Sequence, residues 1–217
     1  MSTDAGTEHL RGVDPVLRAI IDQIGPDGLG DARAGRPPDH YGALVRSIVG
    51  QQLSTKAARA IFQRLTDRFD GRTPTPAQVL ADDPEALRAA AGLSRAKVGF
   101  LRSLAEHVQD GDVELERLDE LPDDEVIAEL VAVKGIGTWS AHMFLMFHLQ
   151  RPDVLAVGDL GIRRAIMLAY GLPALPAPAE MEAIAEPWRP WRTLACRYLW
   201  RSLDAPRPID PGRAGRC

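Results

Sequence analysis

The chain has 217 residues, of which 45% are hydrophobic, and a formal net charge of −4 at pH 7. This hydrophobic content is enough to bury a core and argues against disorder, and no apolar run reaches the roughly 18 residues that a membrane helix needs. Two cysteines are too few for a disulfide framework, a thiolate-bound zinc or an iron–sulfur cluster. We therefore expect a soluble, cytoplasmic protein without a signal peptide, built as one domain or as two small lobes.

The negative net charge hides an asymmetry along the chain. Residues 110–130 contain ten acidic residues and one arginine, which leaves 25 of the 26 basic and 20 of the 30 acidic residues elsewhere. Basic residues are concentrated in 41–72 and 186–217. A local basic patch binds polyanions whatever the average charge, but an arginine-rich helix is more often merely a solvated face. Charge alone therefore permits nucleic-acid binding without establishing it.

Sequence patterns typical of helices occur throughout the chain, and no segment shows the alternation of apolar and polar residues that is typical of a strand. Asp14-Pro15 predicts a helix that extends to Ile24, and 25–38, with four glycines and three prolines, predicts a loop. In the first half of the chain, further helices are predicted over 39–50, from the Ser54 cap onward, over 84–91 and over 95–108. In the second half, one helix is predicted from Pro122 to the turn at 134–137, and the next over 139–150 with Thr138 as its cap. The last two are predicted over 159–170 and over 190–203. The sequence therefore predicts an all-α fold.

The turn Lys134-Gly135-Ile136-Gly137 joins two of these predicted helices. Glycines allow a sharp turn with nothing in front of the backbone amides. The helix that follows begins with unpaired N–H groups and the positive end of its dipole, which together bind a phosphate without reading sequence. An ordinary corner between two helices has the same pattern, so the turn by itself leaves both interpretations open.

Four segments, taken together, resemble one family. They are 48–58 (IVGQQLSTKAA), 133–141 (VKGIGTWSA), 157–164 (VGDLGIRR) and 187–200 (PWRPWR to Trp200). The second resembles the hairpin of the helix–hairpin–helix DNA glycosylase superfamily, the third its segment with the essential aspartate, and the first its DNA-probing loop. The fourth is similar to the closing helix of the DNA-3-methyladenine glycosylase II branch.

The resemblance implies two helical lobes with the active cleft between them. One lobe would be 36–150, with the probing loop and the hairpin, and the other 1–35 plus 151–217. The function implied is a monofunctional DNA glycosylase that hydrolyses the N-glycosidic bond of alkylated purines, of the 3-methyladenine and 7-methylguanine type, and starts base-excision repair. Two alternatives stay open, a non-catalytic protein that binds damaged DNA and a glycosylase for deaminated or oxidised bases.

The resemblance also assigns the reaction centre. It places the catalytic aspartate at Asp159, which is at the same time a predicted helix N-cap. Trp139 occupies the position at which glycosylase/lyases of this superfamily have a lysine, and an indole cannot form a Schiff base. We therefore expect no lyase activity.

Trp139 and Trp200 are the aromatic residues that we place in the base pocket, where an indole face favours a cationic alkylated base. The alternative interpretation is that both tryptophans pack in the core and do not contact a base. Leu160 and Met143 are candidates for the same pocket, with core packing again the alternative, and Met143 replaces a tyrosine that relatives carry.

The resemblance implies contacts with double-stranded DNA that carries alkylated bases. We predict Gln52 as the wedge that fills the gap left by the flipped base, with Leu53 packed behind it and Ser54 facing the minor groove. The alternative is an ordinary turn between two helices, with Ser54 as a plain N-cap. The remaining predicted DNA contacts are in the hairpin, at Gly135, Gly137 and Thr138. We expect no required cofactor, although the carbonyls of Val131, Val133 and Ile136 are candidates for a structural Na⁺ or K⁺. The protein is expected to be a monomer that acts on nucleoid DNA and not at a membrane.

Overall fold

The structure, a computed structural model, describes residues 3–31 and 35–204, so the tail 205–217 lies outside the described residues. The described chain is built from helices and contains no strand, which confirms the predicted all-α fold. None of its helices is both long enough and apolar enough to cross a bilayer.

The chain divides into two compact units, which we call the terminal unit (Met1–Ala32 with Gln150–Cys217) and the central unit (Arg33–Leu149). The helices of the terminal unit are α1 (Thr3–Val13), α2 (Pro15–Ile24), α10 (Leu160–Tyr170), α11 (Pro178–Ala185) and α12 (Arg192–Leu203). Those of the central unit are α3 (His40–Gly50), α4 (Thr55–Asp67), α5 (Pro76–Ala81), α6 (Pro84–Ala91), α7 (Arg95–Asp110), α8 (Asp123–Ala132) and α9 (Thr138–Phe147). Short 3-10 helices cover Pro26–Leu29, Leu115–Arg117 and Glu186–Trp188.

Most helix starts lie where the sequence predicts them, because short polar side chains cap them. A short polar side chain at the start of a predicted helix accepts a hydrogen bond from the first turn of that helix in five cases: Asp14, Ser54, Asp83, Ser94 and Asp159. Such caps satisfy backbone amides that the helix itself leaves unpaired.

Some predicted boundaries are wrong. The cap of α9 is Gly137, and Thr138 is already the first helical residue. That helix ends at Phe147 and does not reach Gln150, whose φ of 55° is a left-handed conformation. The last helix begins at Arg192 and not at Pro190, because residues 186–188 form a separate 3-10 turn that buries Trp188. The helices α1, α5 and α11 were not predicted.

Apolar residues at helical spacing predict the buried faces of α3 and α8. In α3, Leu44, Val45, Ile48 and Val49 are all buried, as their spacing predicts. In α8, Val126 and Leu130 are buried, but Val131, whose spacing places it on the same face, is 41% exposed. The backbone carbonyl of Val131, and not its side chain, bears on the predicted cation site.

The two histidines of the segment 139–149 differ in their hydrogen bonds. His148 is buried, and its Nε2 lies 2.7 Å from Nδ1 of His40, whose Nε2 lies 3.2 Å from a carboxylate oxygen of Asp119. The buried Nδ1 of His142, in contrast, has no hydrogen-bond partner among the described residues. Burial lowers the pKa of His142.

Candidate active site and DNA-binding surface

Asp159 caps α10 and is 8% exposed. Its Oδ1 accepts two hydrogen bonds, one from the backbone N–H of Ile162 and one from the indole N–H of Trp200, each at 2.8 Å. The positive end of the α10 dipole also favours a carboxylate there. The predicted N-cap role is confirmed, and the side chain is held by donors from two helices.

Gly161 allows Trp200 to approach the start of α10. A Cβ on Gly161 would lie 3.0 Å from Oδ1 of Asp159 and 3.1 Å from both Cδ1 and Nε1 of Trp200. The sequence predicted Trp200 only as a pocket aromatic, and it missed both the hydrogen bond to Asp159 and the need for Gly161. Leu160, next to Asp159, is 65% exposed, so its core alternative is wrong.

The two glycines of the hairpin between α8 and α9 have different roles. Gly135 has a φ of 92°, and a Cβ there would lie 2.2 Å from the ring of Phe100. It is therefore needed for the turn and for packing, and not for open access. No atom lies within 4 Å of the position that a Cβ on Gly137 would take.

Gly137 leaves the start of α9 open to a ligand. Within the described chain, no side chain caps the first turn of α9, and Gly137, Thr138 and Trp139 are exposed. An open turn of this kind, at the positive end of a helix, suits a phosphate oxygen. Only one of the two glycines thus supports the phosphate interpretation directly.

The predicted DNA-probing loop is exposed at its tip. Gln52 adopts a left-handed conformation, with a φ of 57°, and its side chain is exposed. Leu53 is 37% exposed, so the expectation that it packs behind Gln52 is wrong. Ser54 caps α4, with its Oγ 3.3 Å from the amide nitrogen of Ala57. Two neighbouring side chains are therefore presented to solvent.

Two residues that the sequence did not indicate hold this loop in place. The Lys97 ammonium donates to the carbonyls of Val49 and Gln51, both at 2.8 Å. The side-chain amide of Gln51 donates to the carbonyl of Gly135 at 2.8 Å. Burial lowers the pKa of Lys97. The probing loop and the hairpin are thus linked within the central unit.

A pocket of about 390 Å³ opens beside the loop, between α3 and α9. Trp139 and Met143 line it, one turn apart on α9, together with Gln52 and Leu53. Trp139 is 45% exposed, so its core alternative is wrong. The structure therefore brings together four of the predicted site residues in the central unit. Asp159, Leu160 and Trp200 belong to the terminal unit.

The carbonyls predicted to bind a monovalent cation lie at the end of α8. Val131 is in its last turn, where carbonyls lack amide partners from within the helix. The carbonyl of Val133 accepts a hydrogen bond from the Ile136 amide at 3.0 Å and keeps a second lone pair. The negative end of a helix dipole suits a cation, so these residues fit the ion, and the site stays a prediction.

Two helices are joined by a glycine hairpin that leaves the start of the second helix open, and an aspartate further along the chain caps the next helix and accepts an indole N–H. These features together are typical of a helix–hairpin–helix protein of the DNA repair type. The comparison with known families agrees with this class. The chain belongs to the HhH-GPD superfamily of base excision DNA repair proteins, whose model matches residues 45–190.

Individual relatives cover nearly the whole chain. DNA-3-methyladenine glycosylase 1 of Schizosaccharomyces pombe is 34% identical over 208 residues, 94% of this chain and 90% of that protein. The structure of the Schizosaccharomyces pombe 3-methyladenine DNA glycosylase in complex with abasic DNA matches with a TM-score of 0.82 at 33% identity, over 93% of this chain and 98% of that one. A DNA-3-methyladenine glycosidase from Bacillus halodurans gives a TM-score of 0.70 at 37% identity, over 87% and 89%.

Proposed function

We propose that this protein is a monofunctional DNA glycosylase that hydrolyses the N-glycosidic bond of alkylated purines and leaves an abasic site, as the first step of base-excision repair. The observation that carries the proposal is the Asp159 carboxylate, which is held at the start of α10 by an amide and an indole N–H and lies within residues 45–190, the region that matches the DNA repair family. The similarity to proteins named 3-methyladenine glycosylases supports the substrate class, because it extends over nearly the whole chain.

Asp159 would act on the sugar of the damaged nucleotide. The bond that breaks joins the sugar C1′ to the purine nitrogen, and water supplies the hydroxyl group that replaces the base. The sugar gains oxocarbenium character as the bond lengthens. The carboxylate stabilises this positive charge and orients or deprotonates the attacking water. Alkylation at N3 or N7 makes the purine cationic, so it leaves as a neutral base without a strong acid.

Trp139 supports hydrolysis without strand cleavage. A lyase reaction needs an amine that forms a Schiff base with the sugar, and an indole has no such nucleophile. The exposed ring lines the pocket beside Met143. There it would bind an alkylated purine through a cation–π contact worth about 0.5–2 kcal/mol. Trp200 would contribute to the same reaction through its hydrogen bond to Asp159.

The central unit supports action on duplex DNA. Extruding a base costs a few kcal/mol of stacking, and a side chain must fill the gap. We assign this wedge to Gln52, with the exposed Leu53 beside it. The open start of α9, at Gly137 and Thr138, would bind a phosphate of the backbone.

The proposed reaction needs no cofactor, because water is the nucleophile and the base is already an activated leaving group. A Na⁺ or K⁺ on the carbonyls of Val131, Val133 and Ile136 would stiffen the hairpin and add positive charge near the bound phosphate. We propose that the protein acts on nucleoid DNA as a monomer.

The decisive experiment measures free base released from duplex DNA that carries methylated purines. Wild type and Asp159→Asn are compared, and the DNA is analysed for strand breaks before and after hot alkali. We expect base release by the wild type, loss of release in the variant, and breaks only after alkali.

Two results would contradict the proposal. Strand breaks that form without alkali, at the rate of base release, would show a lyase. Salt-sensitive binding of the wild type without release of any base would show a protein that recognises damage and does not process it.

A further inference from the structure

The pocket of the central unit has two guanidinium groups on its wall. Arg36 and Arg46 line it, and no aspartate or glutamate is among the described residues that do so. Arg36 lies over the ring of Phe147, 4.7 Å from its centroid, and Arg46 over the ring of Phe62 at 5.6 Å. The rings hold the two guanidinium groups in place, but they bring no full negative charge to balance them.

Neighbouring charges make this arrangement costly. Arg36 stays exposed on one side, but partial burial in the pocket and repulsion by Arg46 lower its pKa. Arg46 is half-buried, and burial and repulsion by Arg59 lower its pKa. Arginine nevertheless stays protonated at physiological pH. Three adjacent positive charges therefore lie in and beside a partly desolvated pocket, where an anion would relieve their repulsion.

Some other arginines of the same unit are paired with carboxylates, whereas Arg64 and Arg102 donate to backbone carbonyls. Arg68 contacts Asp82 at 2.6 Å, and Arg88 contacts Glu85 at 2.7 Å. These pairs show how the unit balances an arginine that serves its own structure. The pocket arginines have aromatic neighbours in place of acidic ones, which favours an anion from outside the chain.

We propose that Arg36 and Arg46 bind one phosphodiester group of the DNA strand that carries the lesion, an inference that rests on the proposed function. Guanidinium groups bind phosphate through parallel N–H donors. The exposed Trp139 and Gln52 line the same pocket, so a phosphate there would belong to a nucleotide close to the flipped base. Its negative charge would also offset the repulsion between the arginines and a cationic alkylated purine. A pocket of about 390 Å³ is at the small end of ligand pockets and suits a single nucleotide unit.

The first test measures how salt weakens binding to a duplex that contains a stable abasic-site analogue. Arg46→Met removes the charge and keeps an apolar contact with Phe62, and Arg46→Lys keeps the charge. A complete loss of this phosphate contact reduces the slope of log affinity against log salt by about 0.9, and because Arg36 shares the phosphate, loss of the Arg46 charge alone should reduce the slope by a measurable part of that value. We expect this change, with about tenfold weaker binding, in Arg46→Met, and a nearly unchanged slope in Arg46→Lys. Arg88→Met removes one charge from the same unit and should keep the wild-type slope.

The second test locates the phosphate. Single phosphates on both sides of the abasic analogue are replaced by neutral methylphosphonates. One replacement should weaken wild-type binding about tenfold and have no further effect in Arg46→Met, because both changes remove the same contact. Deoxyadenosine monophosphate is added as a separate probe, since a free nucleotide offers the same phosphate chemistry.

Three results would overturn the inference. One is an unchanged salt slope in Arg46→Met, and a second is equal weakening by every methylphosphonate in both proteins. The third is saturable binding of the monophosphate that Arg46→Met abolishes while the salt slope stays unchanged. Base release by the wild type is measured separately. Release without a slope change refutes only the phosphate site, and a slope change without release refutes only the proposed catalysis.

Discussion

Asp14 and Asp159 occupy the same kind of local site in the terminal unit. Each caps a helix, each is nearly buried, and each accepts an indole N–H at 2.8 Å, Asp14 from Trp188 and Asp159 from Trp200. A carboxylate at a helix start with a tryptophan donor is therefore not, by itself, a sign of catalysis.

The two carboxylates differ in how their oxygens are used. Oδ1 of Asp14 accepts from the amides of Val16 and Leu17, and Oδ2 accepts from the hydroxyl of Tyr170 as well as from Trp188. Both oxygens of Asp14 thus join parts of the fold to one another.

At Asp159 the amide of Ile162 and the indole of Trp200 both donate to Oδ1. Convergence on this oxygen orients the carboxylate. Asp14 shares the helix cap and the indole donor, so neither feature separates a structural aspartate from the proposed catalytic one. Asp159, unlike Asp14, lies within residues 45–190, which match the DNA repair family.

The largest effect should come from replacing each aspartate by asparagine. Asp159→Asn should lower the rate of base release by about two to four orders of magnitude, the range for a lost acid–base group. Its free energy of unfolding should change by less than about 1 kcal/mol, because asparagine also caps helices. Single-turnover kinetics and urea unfolding measure the two quantities.

Asp14→Asn should show the reverse. It weakens an acceptor of several buried donors, so we expect about 2–4 kcal/mol of lost stability and nearly normal base release at temperatures where the variant is folded. Equal losses of activity in the two variants would break the distinction between the two sites.

A second contrast replaces each tryptophan donor by phenylalanine, which keeps a ring and removes the N–H. Trp200→Phe should lower the single-turnover rate about tenfold to a hundredfold while the affinity for abasic DNA stays close to wild type, because the lost bond positions Asp159. Trp188→Phe should lower stability by about 2–4 kcal/mol through a lost hydrogen bond and a cavity, without changing the rate. Weaker binding of DNA that carries the alkylated base, with unchanged affinity for abasic DNA and an unchanged rate, would mean that Trp200 binds the base and does not hold Asp159.

A third contrast uses two glycines near Asp159. In Gly161→Ala the added methyl group meets Asp159 and Trp200, so both must shift by a few tenths of an ångström. We expect about fivefold slower base release from this misplacement. Gly158→Ala is the control, since no atom lies within 4 Å of its added Cβ. A normal rate of base release in Gly161→Ala, with a crystal structure that shows no shift, would mean that the close approach of Trp200 and Asp159 to Gly161 does not affect catalysis.

The sequence predicts the helix caps and the contiguous motifs of the site, but it does not predict the hydrogen bonds between residues that lie far apart in the chain. Both aspartates could be identified as caps because a cap depends on the few residues that follow it. The hairpin and the probing loop were identified by resemblance, again as contiguous segments. Trp200 was placed near the site, but its hydrogen bond to Asp159 joins residues 41 positions apart. No local pattern encodes such a pairing.

The same limit applies to the central unit. Lys97, 46 positions from Gln51, supports the probing loop, and Gln51, 84 positions from Gly135, links it to the hairpin. Phe100 fills the space that makes Gly135 necessary. Each residue looks like an ordinary helix or loop residue in the sequence, and only the packing of α7 against the loop and the hairpin gives it a role.

The smallest predicted effect concerns Tyr170, which donates a hydrogen bond to Asp14 and so tests the structural role of that aspartate. Burial, and then the hydrogen bond to Asp14, raise the pKa of Tyr170. Since the unfolded tyrosine ionises near pH 10, the stability that Tyr170 contributes is fully present below about pH 10 and is lost as the pH rises further. Tyr170→Phe should cost about 1.5–3 kcal/mol at neutral pH. The difference in free energy of unfolding between wild type and Tyr170→Phe should narrow by up to about 1.4 kcal/mol for each pH unit above 10.

Tyr41→Phe is the matched control for this pH dependence. Burial raises the pKa of Tyr41 as well, but its hydroxyl has no hydrogen-bond partner among the described residues. Its removal should therefore leave stability at neutral pH unchanged or slightly higher, while wild type still loses stability relative to the variant at alkaline pH. Urea unfolding from about pH 8 to about pH 11 measures both gaps. If Tyr170→Phe costs no more than Tyr41→Phe at neutral pH, the bond to Asp14 does not stabilise the fold, and Asp14 is not the structural counterpart of Asp159.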